Sequence, residues 1–407
     1  MMNTLLLQKI SHYYRSVLGR LPSSTATLDD DVIFFKILPK LPTKSLIRFK
    51  CVSKSFNSAI SSPELIDLHL RHHYPSSSEH LITLAGDHRI NCYNLHHPLP
   101  LSTPISTFTW SHPSSISVIG SSNGLLSVIV SKHGERNNNN NNNNHICFLN
   151  PTICVLHRQI RIPIPKYIVF GVGFGFDRQT LDHKLVIVYD DFFVKTQVTM
   201  VYSLNTKSWR KIQTQLYSDS IILKHIGVVI NHNLVHWITW APLLNKYKIG
   251  CFNLSINNWT YNLLLPGYYY DPTHKFYLLL GMGGLDGRLI SYFWDQNKKQ
   301  YDVWVMKEYR VQDSWFRLLT MPILSECDLM VPVFSRGGLD EILFAQRRSD
   351  KLRWYNTRDG KMSDAIVHGD PCLPNGKAYM CCPNHVDLPR GRRFRGIVNL
   401  GDCCCLM

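Results

Sequence analysis

Two hydrophobic periods divide this chain near residue 75. Before it, apolar residues recur at helical spacing; after it, they come in short runs broken by turn residues, as strands do. In KLPTKSLIRFKCVSKSF (residues 40–56), Leu46, Phe49, Val52 and Phe56 follow one another at steps of three, three and four, one face of a helix. Pro42 stands where a first helical turn tolerates proline. Ile47 and Cys51 widen the stripe, and Lys44, Arg48, Lys50 and Lys54 hold the remaining surface. DDDVIFFKIL (29–38) predicts a shorter helix with its acids in the first turn, where the helix dipole favours negative charge. Val32, Phe34, Phe35, Ile37 and Leu38 are apolar nearly all round, and Pro39 is expected to stop the run. Residues 57–71 add a further turn or two. A unit of roughly 45 residues is close to the size at which a lone domain struggles to bury enough surface. Its wide apolar face must therefore be covered, by the rest of this chain or by a partner.

Beyond residue 75 one feature recurs: an apolar strand, a turn containing Asn, Ser, Thr or Asp, then often a Trp. It appears as CYNLHH at 92, FLNPTICVL at 148, VYSLNTKSW at 201, CFNLSINNW at 251, YDVWVMKEYRVQDSW at 301 and LRWYNTRDG at 352. Successive starts lie 56, 53, 50, 50 and 51 residues apart. The largest gap contains a run of eight asparagines, residues 137–144, which reads as a low-complexity loop insertion. A period near 50 with about four short strands per unit predicts an all-β, kelch-like β-propeller of about six blades. Ahead of these strand pairs lie GSSNGLLSV (120–128), GVGFGF (171–176), IGVVINHNLVHWI (226–238) and LGMGGLDGRLI (280–290). They are expected to be inner strands, where small residues let backbones approach. GMGGLDG misses the G-x-G-x-x-G register and no helix is expected after it, so a phosphate-cradling loop is disfavoured.

The helical segment resembles a known family. LDDDVIFFKILPKLPTKSLIRFKCVSKSF is similar to the F-box of plant F-box proteins, whose pattern is close to LPxDxxxxILxRLPxKSLxRFKCVSKxW. It departs at Asp29, which replaces a proline, at Pro39 inside the link between helices, and at Phe56, which replaces the usual Trp. The later strands resemble the F-box-associated domain: GSSNGLL its GSCNGLL, FLNPT its LWNPSTR, GFGFD its GFGYD, VYSLNTKSWR its VYSLxTxSWR, and YDVWVMKEYRVQDSW its (F/I)xIWVMKEYGVxxSW. The S-locus F-box group is one branch of this family, and nothing in the chain assigns it there. The resemblance implies a small all-α F-box followed by a propeller, acting as the substrate-recognition subunit of a Skp–cullin–F-box ubiquitin ligase. It implies a Skp-family adaptor, through it a cullin, and an unknown protein substrate. Leu38, Leu41, Pro42, Leu46, Phe49, Val52 and Phe56 are the expected adaptor-binding residues. The expected organisation is an N-terminal extension (1–27), a helical unit (28–75), a propeller (78–370) and a basic, Cys-rich tail (371–407).

Composition narrows this little. The 407 residues are 44% hydrophobic and 18% charged, as in folded globular chains, and no apolar run approaches a membrane span. The first 28 residues hold Lys9, Arg15 and Arg20 without an acid, a faint likeness to a transit peptide, but read as a plain extension. Twelve cysteines show neither CxxC pairs nor zinc-site spacings. They read as reduced thiols of the cytosol or nucleus, with Cys92, Cys147, Cys154 and Cys251 in the core. A net charge of +15 favours acidic partners, but the cations are dispersed and no nucleic-acid motif is present, so no nucleic acid is expected. GxSxG, HExxH, P-loop and kinase motifs are all missing, which argues against an enzyme; neither a cofactor nor a metal is called for. The pairs His72–His73 and His96–His97 read as loop histidines, and Trp237, Trp240, Trp294, Trp304 and Trp315 as blade core rather than a sugar platform. The terminal CCLM fits a C-a-a-X pattern, making Cys404 a candidate prenylation acceptor. Arg390, Arg392, Arg393 and Arg395 upstream would add weak membrane association.

Overall fold

A computed structural model describes residues 30–73, 80–85, 89–95, 104–110, 115–131, 144–152, 154–162, 169–191, 196–212, 221–222, 226–230, 233–244, 246–266, 277–323, 329–346, 351–365, 378–381 and 398–399. The N-terminal extension, residues 137–143 of the asparagine run, His96–His97 and Cys404 lie outside them.

The helical segment folds into four short pieces rather than two. Helix α1 (Asp30–Val32) continues as a π-helical turn (Ile33–Ile37) and a 3-10 turn (Leu38–Lys40). Pro39 is therefore buried within the last turn instead of ending the helix before it. Helix α2 spans Thr43–Phe49 and α3 spans Lys54–Ile60. The stripe read as one helix over 40–56 is broken at residues 50–53, because Ser53 caps α3: its Oγ accepts a hydrogen bond from the Phe56 N–H at 3.1 Å. Helix α4 (Pro63–His73) is longer than the turn or two expected, and it takes in His72 and His73, which were read as loop residues. Phe34, Leu38, Leu46, Ala59, Ile60 and Leu65 form the unit's core.

The rest is six antiparallel sheets in sequence order. Blade 1 takes β1 (His80–Ala85), β2 (Arg89–Asn94) and β3 (Ser106–Trp110). Blade 2 comprises β4 (Ser115–Ser122), β5 (Leu125–Ser131), β6 (Asn144–Asn150) and β7 (Val155–Arg161). Blade 3 comprises β8 (Val169–Asp177), β9 (Asp182–Asp191), β10 (Thr196–Ser203) and β11 (Ser208–Ile212). In blade 4 the first strand is split into β12 (Ile221–Ile222) and β13 (Val228–Ile230), followed by β14 (Leu234–Ala241), β15 (Lys246–Asn253) and β16 (Asn258–Leu264). Blade 5 comprises β17 (Tyr277–Leu285), β18 (Arg288–Asp295), β19 (Gln300–Met306) and β20 (Trp315–Pro322). Blade 6 comprises β21 (Met330–Arg336), β22 (Glu341–Gln346), β23 (Leu352–Asn356) and β24 (Met362–Ala365).

The ring closes through β25 (Ala378–Cys381), which pairs with β1 and supplies blade 1 with its inner strand; β26 (Val398–Asn399) pairs with β3 at the outer edge. The closing strand lies past residue 370, where the sequence pattern had placed the end of the propeller. Inner strands touch one another around the axis: β4 with β8, β8 with β13, β13 with β17, β17 with β21, β21 with β25, and β25 with β4. β4, β8, β17 and β21 each carry a register shift, at residues 118/120, 169/171, 279/281 and 332/334. Such bulges bend the strand and increase its twist.

The glycine stretches do lie on inner strands and their hairpins. Gly173 and Gly227 make room for a side chain as well as for backbone: a Cβ on Gly173 would stand 2.8 Å from the Trp237 ring, and one on Gly227 2.6 Å. The GLDG sequence is a β17–β18 hairpin turn with Asp286 and Gly287 at positive φ, the backbone a two-residue I′ turn needs. No phosphate-binding helix follows it.

Blades are joined by buried polar side chains as well as apolar area. Between blades 2 and 3, His183 Nε2–H donates to the Ser122 carbonyl at 3.1 Å, with the ring stacked on Phe174. Between 3 and 4, Lys184 Nζ donates to Asp177 Oδ2 (2.8 Å) and to the Leu254 carbonyl (2.6 Å), and Ser255 Oγ donates to Asp177 Oδ1 (2.6 Å). Between 4 and 5, His236 Nδ1–H donates to Val228 O at 3.1 Å, leaving Nε2 to accept from Tyr309 Oη at 2.6 Å. Between 5 and 6, Tyr301 Oη donates to Met330 O at 2.7 Å. Satisfied networks of this kind fix one arrangement of neighbours.

Candidate functional site

The candidate adaptor face is built by the break between α2 and α3. Among the seven residues expected there, Phe49 and Val52 stand out from the surface, 38% and 62% exposed, and Pro42 is exposed; Ile37, not among the seven, is also 38% exposed. Leu41 and Phe56 are half-buried against the unit's core. Phe56 bridges inside and outside, with ring centroids 5.4 Å from buried Phe34 and 6.5 Å from exposed Phe49. Leu38 and Leu46 are a correction. At 2% and 0% exposure they already fill the unit's own core and have no surface to offer a partner. They hold up the face rather than form it. The helical period predicted one apolar stripe but could not tell its inner half from its outer half.

Helix α4 seats this unit on the propeller, docking on the rest of the chain that the sequence pattern had left open as one of two alternatives. Ile66 is buried in the cluster that includes Ile119, Leu125, Phe148 and Phe174 of blades 2 and 3. Asp67, also buried, pairs with Arg178 at 3.6 Å in the β8–β9 turn. On the other side of the helix, His69 Nε2 lies 3.0 Å from the Leu41 carbonyl. The turns β4–β5 and β8–β9 lie at the end of the ring that α4 approaches. The β14–β15 and β18–β19 turns lie at the opposite end, because strands alternate in direction within each blade.

The recurring tryptophans are structural. Trp259 Nε1 donates to Thr199 Oγ1 of blade 3 at 3.0 Å, and Trp315 Nε1 to the Leu264 carbonyl of blade 4 at 3.1 Å. The segment WVMKEYRVQDSW forms a clamp from blade 5 onto blade 4: Tyr309 reaches His236, Gln312 Nε2 donates to Leu265 O at 3.1 Å, and Trp315 closes the contact. Trp237, Trp294 and Trp315 are buried, whereas Trp240 and Trp304 are half-buried.

Titratable groups in the ring are tuned for structure. Burial pushes His183 and His236 down to about 4, so both are neutral near pH 7. Burial alone would raise Asp177, but hydrogen bonds from Lys184, Ser255, Thr180 and the Gln179 N–H outweigh it and hold the carboxyl at about 2. Cys92, Cys147, Cys154 and Cys251 are buried thiols, and burial pushes Cys251 up to about 12, far from a reactive thiolate. Among the described residues no group of three or more His, Cys, Asp or Glu is placed to hold a metal ion, and no helix is long and apolar enough to cross a membrane.

A helical unit with apolar residues exposed among the described residues, seated on a closed six-bladed propeller, makes a chain of two parts. Residues 27–68 match the F-box domain and residues 89–371 the F-box-associated β-propeller domain, so the chain belongs to the F-box proteins with an associated propeller. It is similar to F-box protein CPR1 of Arabidopsis thaliana, 24% identical over 85% of this chain and 86% of that one. F-box/kelch-repeat protein At3g23880 of the same plant is 26% identical over 85% and 92%. Among solved structures, a chain of a nidogen/laminin complex aligns with a TM-score of 0.41 at 13% identity, covering 76% of this chain and 100% of that one. The Dos1 propeller aligns with a TM-score of 0.35 at 10% identity, covering 72% and 69%.

Proposed function

We propose that this protein is the substrate receptor of a Skp–cullin–F-box ubiquitin ligase, working in the cytosol or nucleus. The observation that carries the reading is the exposed apolar surface of Phe49, Val52, Ile37 and Pro42 on a unit whose own core is already complete. Large apolar side chains standing in water beside a finished core mark an interface. A Skp-family adaptor covers them and brings the cullin with it. The propeller binds the protein to be modified. The chain performs no bond chemistry; it supplies proximity and orientation to the enzymes brought alongside. The α4 joint supports this division, because it attaches the adaptor-binding unit at one end of the ring and leaves the other end for a target.

The test is co-purification with adaptor and cullin using Phe49→Ala and Val52→Asp variants. Each should lose about 2 kcal/mol or more of adaptor affinity, as central interface residues do, with the propeller's thermal transition unchanged. Full adaptor binding by both variants would overturn the reading. Adaptor binding without a cullin would instead indicate an interaction module outside the ligase.

A further inference from the structure

The outermost strand of a blade turns a row of backbone N–H and C=O groups away from the ring, a template on which another extended chain can pair. Blade 1 already holds one such pairing, since β26 adds to the outer edge of β3. The other outer strands differ in charge. β16 carries none. On β20, Arg317 lies 4.0 Å from Asp302, and on β24, Asp364 lies 3.2 Å from Arg353. On β7, Arg158 donates to the Tyr202 hydroxyl at 3.2 Å, and Arg161 is exposed at the strand's end. On β11 and the turn that leads into it, Lys207, Arg210 and Lys211 are all exposed. Among the described residues, none of these three side chains has an ionic or hydrogen-bonding partner. Residues 196–212 contain no Asp or Glu. Asp182, which reaches the β10–β11 turn, is buried and already accepts from the Ser203 hydroxyl and from the Asn205 N–H at 2.9 Å.

Side chains alternate between the two faces of β11. Trp209 lies 5.1 Å from Tyr202 between ring centroids and packs on the cluster shared with blade 2, so it faces that blade, and Lys211 shares its face. Arg210 and Ile212 take the other face, where Ile212 packs against the cluster between blades 3 and 4. A strand laid along the free edge of β11 would meet one cation and one half-buried apolar side chain on each of its faces.

We infer that β11 receives an extended acidic segment of a partner protein as an added strand. Its carboxylates meet Lys207, Arg210 and Lys211, and its apolar side chains meet Trp209 and Ile212. Opposite charges paired across strands stabilise such an addition, and like charges reject it. This chain's own ends do not fit: residues 1–28 hold three cations and no acid, and residues 371–407 hold five cations and two acids. A second copy, at +15, is repelled as a whole. Backbone pairing selects a protein over a nucleic acid. Successive bases would also need a run of open aromatic faces, and Tyr202, beside Trp209, is buried. The inference goes beyond the substrate-receptor reading and does not depend on it, because β11 belongs to the ring and not to the adaptor face.

Cations on an edge strand also guard it against indiscriminate pairing, and the experiment separates a guard from a dock. It uses the full chain and four fluorescent probes. These are a short peptide of Glu-Glu-Val-Val repeats, the same peptide with Lys for Glu, the acidic peptide methylated at every backbone nitrogen, and a single-stranded RNA. The acidic peptide should bind, and the Lys and methylated peptides at least roughly tenfold more weakly, a difference of about 1.4 kcal/mol. Its binding should slow amide hydrogen exchange in Ser208–Ile212, which attraction between charges alone does not do. The double variant Arg210→Glu/Lys211→Glu should weaken the acidic peptide by a similar factor without moving the melting temperature. Arg210→Gln/Lys211→Gln, which adds no repulsion, should weaken it in the same direction and replaces the first variant if that one melts early. No binding of the acidic peptide would overturn the inference and leave the cations as a guard only. Equal binding by the methylated peptide, unchanged exchange in β11, or binding untouched by both variants would overturn it as well. So would RNA that binds more tightly than the peptide and is lost in the same variants.

Discussion

The propeller encloses most of its large aromatic side chains, and the helical unit encloses fewer of its own. In the propeller, Trp237, Trp259, Trp294, Trp315 and Trp354 are all enclosed, and Trp259 and Trp315 spend their N–H groups on the preceding blade. In the helical unit, Phe34 is enclosed, Phe56 is half covered and Phe49 stands out. The difference follows from topology. A ring closed by β25 against β1 has no unpaired inner face, so most of each blade's apolar area meets a neighbour. Short helices have no such closure, and among the described residues six buried hydrophobic residues make up the core they build. The propeller is stabilised by its own completion, and the helical unit, among the described residues, keeps Phe49 and Val52 at its surface.

The comparison can be broken most sharply at Leu46. Leu46→Asp places an unpaired carboxylate in the helical core and should cost about 5 kcal/mol, the combined loss of a buried leucine and burial of a charge. Circular dichroism should show helix lost and strand retained, and adaptor binding should vanish because the face collapses. Intact helices in that variant would mean that the core is not where the structure puts it. In the propeller, Trp237→Ala should cost about 4 kcal/mol and lower its melting temperature, since Gly173 and Gly227 are shaped around that ring. A shift of under a degree would contradict the enclosed-ring picture.

Acid should separate the two regions next. His183 and His236 titrate near 6.5 in an unfolded chain and at about 4 in the ring. Above about pH 6.5 they are neutral in both states and stability is unaffected. As pH falls from 6.5 to 4, the unfolded chain takes up protons that the ring refuses, so stability is lost across that window, by about 3 kcal/mol per histidine at its lower end. Asp177, held at about 2 against an ordinary 3.8, adds its loss only below about pH 4. A melting temperature constant from pH 7 down to 4.5 would refute the assignment of both histidines as neutral staples. The smallest effect belongs to the joint. Ile66→Ala should cost about 2 kcal/mol and appear as faster hydrogen exchange in α4, with the melting of the blades nearly unchanged. Exchange at the wild-type rate would show that α4 does not depend on its seat.

Much of this architecture was legible because it repeats. The turn-then-Trp motif at intervals near 50 marked the third and fourth strands of the blades, and the glycine stretches marked the inner ones, since each blade solves the same packing problem with the same residue types. Ser53 carried a signal the sequence reading passed over: serine is a favoured N-cap residue, and taken as one it splits the 40–56 stripe. His72 and His73 were misread because a helix C-terminus of mixed polarity looks like a loop when its partner surface is unknown.

What the sequence alone determined were the periods: 3.6 before residue 75 and strand-like after it, with enough local pattern to name both folds. Tertiary structure decided everything that depends on which side of a stripe faces inward. It put Leu38 and Leu46 in the core and left Phe49 and Val52 in water, although all four are apolar and Leu46, Phe49 and Val52 belong to one stripe. It paired β25 with a strand almost three hundred residues earlier in the chain, and seated Ile66 and Asp67 on blades 2 and 3. It also spent the most specific motif, WVMKEYRVQDSW, on a blade-to-blade clamp. Local pattern reports the preference of a residue for burial, but the partner that buries it is set by chain closure over long separations, which no short window of sequence contains.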